Sequence, residues 1–136
     1  MLRLATHKDI PYLAQRWYDE KAKTCFNQLD VEWSVTGCAI FLNEVLGNSN
    51  HVVMVYDDQG IQAACGALLQ RNLLPPHPWV IGEWMWWGDN KRATVQVLHA
   101  AHDWGKQRGA VLAQYTLNQP SQSPTKFSET YRWEVL

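Results

Sequence analysis

The run from Trp79 to Thr116 constrains this chain more than any other part of it. Trp79 to Trp87 is the most β-prone stretch, interrupted only by Gly82, where a bulge or a close backbone approach is expected. Gly88-Asp89-Asn90 breaks it. From Arg92 onward, Thr94, Val97, Leu98, Ala101 and Trp104 recur at helical spacing, and Gly109 closes the element. His99, His102, Asp103 and Lys106 fall largely outside that stripe, on what reads as a solvated face. Ala110 to Thr116 is then a near-continuous apolar run suited to a buried strand. Strand, helix and strand in this order make a crossover, so part of the sheet must be parallel.

The residues before it predict helices and a hairpin. Leu2 to Ala5 is short and partly apolar, and Thr6-x-x-Asp9 offers a capping-box start with Pro11 in the first turn. Ile10, Leu13, Ala14 and Trp17 form one buried stripe, while Arg16, Asp19, Glu20 and Lys23 face water. With Asp30 as N-cap, Val31, Val35, Cys38, Leu42 and Val45 predict a second helix that stops at Gly47. His51 to Tyr56 and Ile61 to Leu69 flank the turn chemistry of Asp57-Asp58-Gln59-Gly60. Arg71 to Pro78 carries Pro75, Pro76 and Pro78 and must be a stiff connection. After Thr116, Gln119 to Pro124 is loop, and the last residues return as a short helix and strand. The order β-α-α-β-β-β-α-β-α-β predicts an α/β (α+β) domain, a mixed sheet flanked by helices, over residues 1–136.

Composition narrows the function classes. A net charge of -1 provides no basic field for a phosphate backbone, so nucleic acid is not an expected partner. The apolar runs fall far short of the roughly 20 residues that cross a bilayer, and the N-terminus has no secretory pattern, so no membrane span and a cytoplasmic location are expected. Cys25, Cys38 and Cys65 are odd in number and expected as reduced thiols, and no cysteine or histidine spacing suggests a metal site.

Gly82 to Leu98, followed by Ala101-x-x-Trp104-x-x-x-x-Gly109-Ala110, resembles the acetyl-CoA motif of the GNAT family of N-acetyltransferases, in particular its short aromatic-rich bacteriophage versions. The opening Leu2-Arg3-Leu4-Ala5-Thr6-x-x-Asp9-Ile10-Pro11-x-Leu13 is similar to the family's first strand and helix. Lys126 to Trp133 is similar to its C-terminal signature. The resemblance implies a loop of the form Arg/Gln-x-x-Gly-x-Gly/Ala, which here reads Lys91-Arg92-Ala93-Thr94-Val95, with Ala93 and Val95 where the family has glycine. Amide groups at a helix start, with the helix dipole and nearby cations, receive pyrophosphate oxygens. Trp86, Trp87 and Asn118 complete the implied cofactor set for acetyl-CoA. The plain alternative is that Asp89 or Asn90 caps a helix whose Lys91 and Arg92 are solvated.

The resemblance further implies two splayed strands, Trp79 to Trp87 and Ala110 to Thr116, with the thioester between them. Glu83, flanked by Trp84 and Trp86, is the candidate general base, with a pKa expected to rise on desolvation. It can equally be a structural carboxylate. Ser128 stands where the family often has a tyrosine acid, and Tyr131 or Tyr115 can substitute, or be ordinary core tyrosines. Trp84, Trp86 and Trp87 line a pocket or simply pack.

The expected activity is acetyl transfer to an amine that attacks directly in a ternary complex; the amine is not identified. The alternative is a catalytically inactive GNAT-fold binding or virion-associated phage protein, which would place the chain in the host cytoplasm or the virion. The resemblance implies a further final strand that many relatives have beyond Leu136, so a homodimer partner or another phage or host protein is the expected occupant of that edge.

Overall fold

The computed structural model describes residues 1–22, 34–119 and 128–136. Six strands lie in sequence order across one sheet: β1 (Leu2–Leu4), β2 (His51–Asp57), β3 (Ile61–Arg71), β4 (Trp79–Gly88), β5 (Leu112–Gln119) and β6 (Ser128–Val135). Helices α1 (Ile10–Ala22) and α2 (Val35–Leu46) pack on one face, and α3 (Lys91–Gln107) packs on the other. All neighbouring strands are antiparallel except β4 and β5, which α3 connects as a parallel pair. This is the mixed sheet flanked by helices that the periodicities predict. The short helix expected before the last strand is not in residues 128–136, which are strand almost throughout, and residues 120–127 lie outside the described residues.

Local signals account for most of the elements. The Asp9 carboxylate accepts the Thr6 N–H at 2.8 Å, as a capping box requires. Arg3 then grips Asp9 through both oxygens (2.8 and 3.0 Å) and Asp57 at 2.8 Å, joining β1 to the start of the first helix and to the hairpin turn. The hydrogen bond from Arg3 holds the Asp9 carboxyl below its ordinary value. Helix α2 is capped by Ser34, whose hydroxyl accepts the Gly37 N–H at 2.9 Å, in place of the expected Asp30. Asp30, Val31, Lys23 and Cys25 lie outside the described residues. Cys38 and Cys65 are free and buried. Among the described residues, no helix is long and apolar enough to cross a membrane.

Two apolar cores result, one on each face of the sheet. Leu13, Ala14 and Trp17 of α1 and Leu42 of α2 cluster with Val53, Val55, Met85 and Trp87 of the sheet, and Val97, Leu98 and Ala101 of α3 cluster with Ile81 and Ala113. Gly105 lets α3 sit directly on Ile81, since an added Cβ there would lie 2.8 Å from the Ile81 Cβ.

Two expectations change. The strand irregularity falls at Trp84 and not at Gly82: Gly66 faces Met85 and Ala67 faces Glu83, so Trp84 is the extra residue of a bulge. Its ring lies over Gly66, where an added Cβ would sit 2.5 Å from the indole. His102 is the second correction. It is only 5% exposed, not solvated, because Tyr115 of β5 packs against its ring at 5.6 Å and Glu134 of β6 lies 3.6 Å from its Nδ1. Burial pushes the His102 pKa down.

Two measurements check this packing. Gly66→Ala should cost about 1–3 kcal/mol in chemical denaturation through overpacking against Trp84; an unchanged midpoint would contradict the bulge geometry. His102, kept neutral by the fold, makes stability fall as pH drops from about 6.5 through its lowered folded value. Asp9 loses its contribution only as the pH falls from the ordinary carboxylate value toward its lowered one. Burial lowers the His51 pKa as well, so His102→Asn should reduce but not abolish the fall of the urea midpoint between about pH 7.5 and 5.5, while leaving the loss at lower pH.

Candidate functional site

Parallel pairing between β4 and β5 is brief. It runs through Val80 with Leu112, Ile81 with Ala113 and Gly82 with Gln114, and then stops. Past that point β4 remains paired to β3 and β5 to β6, so the facing edges of β4 and β5 separate into a fork. The bulge at Trp84 begins one residue after Glu83, where the strands part, and bulges bend the strand that carries them. The Glu83 carboxylate reaches across the fork and accepts the Thr116 N–H at 2.9 Å.

The fork opens into a cleft of about 260 Å3 on the side of α1. Trp84, Met85, Trp86 and Trp87 of β4 line it together with Glu83, Thr116 of β5 and Tyr131 of β6. Trp17, Glu20 and Lys21, at the C-terminal end of α1, complete the wall. Trp84 is held at the centre of an aromatic cluster, 5.2 Å from Trp17, 5.0 Å from Phe41 and 6.1 Å from His51. The indole N–H groups of Trp84 and Trp87 are buried without a hydrogen-bond acceptor among the described residues.

Glu83, Trp86, Trp87 and Tyr131, all singled out from the sequence, therefore meet at one cleft. Tyr115 does not line it; alternation along β5 turns its ring toward α3, between Trp86 at 5.8 Å and His102. Asn118 lies farther along β5, opposite Glu129. Glu20 was missed because it read as the solvent side of α1, and Lys21 was not singled out. They follow Trp17 by three and four residues, a spacing that places all three on one side of the helix.

The segment Lys91 to Val95 has a different form from the expected loop. Gly88 ends β4, only Asp89 and Asn90 intervene, and Lys91 to Val95 are the first turn and more of α3. The Asn90 side-chain Oδ1 accepts the Ala93 N–H at 2.9 Å, and the Asn90 backbone carbonyl accepts the Thr94 N–H at 3.0 Å and the Thr94 hydroxyl at 2.6 Å. Ala93 is buried in the core, while Lys91, Arg92 and Val95 are exposed. Of the first-turn amides, those of Lys91 and Arg92 are the two that this cap does not engage.

The helix start is fixed from both faces. Trp86 donates its indole N–H to the Thr94 carbonyl at 2.8 Å, and Arg16 of α1 bonds Asp89 at 2.7 Å while lying 4.3 Å over the Trp87 ring. Arg16 also holds Glu20 at 2.9 Å, connecting the α3 turn to the cleft wall. No group of three His, Cys, Asp or Glu side chains among the described residues could hold a metal ion.

This arrangement is the fold of the GNAT acetyltransferases. The chain is similar to the ribosomal-protein-alanine N-acetyltransferase of Brucella melitensis, with a TM-score of 0.71 and 13% identity over 100% of this chain and 99% of that one. It is also similar to the acetyltransferase of GNAT family from Streptococcus pneumoniae, with a TM-score of 0.60, 17% identity and coverage of 87% and 74%. The yncA protein of Salmonella typhimurium, solved with its cofactor acetyl-CoA, matches with a TM-score of 0.65, 10% identity and coverage of 87% and 69%. No family model matches the sequence, and no curated protein does.

Asn90→Ala should remove the cap and cost about 1 kcal/mol of stability, read as a lowered denaturation midpoint. Asn90→Asp, which keeps an acceptor at the N-terminus of α3, should restore most of it. A midpoint indifferent to both changes would contradict the capping role.

Proposed function

We propose that the chain is a GNAT-family N-acyltransferase that transfers an acetyl group from acetyl-CoA to an amine. The fork between β4 and β5 is the observation that carries this reading, because it holds unladdered backbone edges, a carboxylate and an aromatic cleft in one place. Acetyl-CoA supplies an activated acyl thioester, and the fork edges are suited to an extended arm added as a strand is. The α3 start fits a diphosphate through the amides of Lys91 and Arg92 and their side-chain charges.

The residues divide the work by position. Glu83 is placed to take a proton from an amine in the cleft, and its hydrogen bond from Thr116 fixes where the carboxylate sits. Tyr131, on the rim, is the better placed of the two tyrosines to return a proton to a departing thiolate, since Tyr115 faces α3. The aromatic walls exclude water and orient the amine for direct attack in a ternary complex.

A second reading has its own support. Asn90 occupies the Ala93 amide, the turn is two residues long, and the Asp89 carboxylate stands at the mouth of the would-be anion site. These features suit a GNAT-fold binding protein without turnover, including a virion-associated or host-binding protein of a phage.

Calorimetry with acetyl-CoA separates the two. Under the enzyme reading acetyl-CoA binds, and thiol release in the presence of an amine panel falls by about 100-fold or more in Glu83→Gln with little change in acetyl-CoA affinity. No heat at millimolar acetyl-CoA would leave the binding protein standing. Undiminished turnover in Glu83→Gln would remove Glu83 as the base.

A further inference from the structure

Arg16 sits where the two parts of the site meet. By helical spacing it belongs to the solvent side of α1, yet its guanidinium is engaged in three directions. Nη2 donates to the Asp89 carboxylate at 2.7 Å, Nε donates to Glu20 at 2.9 Å, and Cζ lies 4.3 Å over the Trp87 ring. A planar cation with donors on two edges and an aromatic ring against its face meets all three demands, which an ammonium group does not. The Arg16 side chain is the more buried member of the pair, 22% exposed against 50% for Asp89, so the cation is anchored and the carboxylate stands at the solvent edge of the turn.

Asp89 is where this arrangement bears on an anion. It stands one residue before the Asn90 cap, and a carboxylate at a helix N-terminus already offsets part of the positive end of the helix dipole. A diphosphate approaching the Lys91 and Arg92 amides comes to that same end and is repelled by any negative charge beside it. Lys91 and Arg92 supply two positive charges at the turn, and Asp89 cancels one of them unless a further cation cancels Asp89.

We propose that Arg16 is a positioning residue for the cofactor: by neutralising Asp89 it leaves the start of α3 able to hold the diphosphate of acetyl-CoA. The inference rests on the acetyl-CoA reading of this turn given above. It accounts for a carboxylate at the mouth of an anion site, a feature that otherwise favours a binding protein without turnover. Arg16 acts through Asp89 and not as a ligand of the phosphates, because Asp89, Glu20 and Trp87 already hold its guanidinium.

A double-mutant cycle read by calorimetry with acetyl-CoA tests this. Arg16→Gln should weaken binding about tenfold, because it leaves the Asp89 carboxylate uncompensated beside the diphosphate. Asp89→Asn should bind at least as tightly as the wild type. The double variant Arg16→Gln with Asp89→Asn should return to within about threefold of wild type, since no charge is then left to neutralise. A purely structural role for Arg16 predicts no such recovery, because the second change removes a further contact of the turn. Far-UV circular dichroism with a thermal melt shows whether each variant is folded, and Arg16→Met, which keeps a stem against the Trp87 ring, gives the same comparison if Arg16→Gln is not. Unchanged binding in folded Arg16→Gln, or a folded double variant as weak as the single one, would overturn the proposal while leaving the acetyl-CoA reading intact. A wild type that binds no acetyl-CoA would remove that reading and the proposal with it.

Discussion

The rest of the molecule depends on one extra residue in β4. Trp84 cannot be accommodated in the ladder to β3, so β4 bulges, and its indole finds room only because Gly66 across the strand has no side chain. Trp17, Phe41 and His51 then surround that ring. A bulge alters the local twist of its strand, and here the parallel ladder between β4 and β5 ends just before it. The fork, the reach of Glu83 to Thr116 and the cleft all lie at this place. One aromatic packing event thus couples the core under α1 and α2 to the geometry of the site.

The start of α3 answers to a second constraint, the need to satisfy amides at a helix end. Asn90 does so within the chain, and Trp86 and Arg16 fix the turn from opposite faces of the sheet. A turn this short and this well bonded is rigid. Any anion that binds there meets a preformed site with two remaining amides and a nearby carboxylate, not a long glycine-rich cradle.

Much of this was legible in residue order. The hairpin follows from β-branched runs on either side of Asp57-Asp58-Gln59-Gly60, where Gln59 and Gly60 take positive φ. Helix α1 follows from Ile10, Leu13, Ala14 and Trp17. Gly82 read as a bulge or a close backbone approach because glycine is the usual local marker, yet the bulge falls at Trp84 and the glycine that makes room for it, Gly66, lies on the neighbouring strand. His102 read as solvated because helical periodicity sees only one element at a time. Its cover comes from Tyr115 and Glu134, later in the chain. Lys91 to Val95 read as a phosphate-binding loop by resemblance, and the alternative beside it, a helix capped by Asp89 or Asn90 with Lys91 and Arg92 solvated, matches the Asn90 cap of the structure.

By itself the sequence determined the elements from β1 to β5, their order and the parallel crossover, since periodicity, caps and turn residues act over a few neighbours. It also named Glu83, Trp86, Trp87 and Tyr131, because carboxylates and aromatic rings on strands are conspicuous wherever they fall. Only the tertiary structure decided which of them meet, that Tyr115 turns away, and that Trp17, Glu20 and Lys21 join the cleft. The physical reason is that a cleft arises where strands part, and that depends on register and on side-chain fit between residues far apart in the chain.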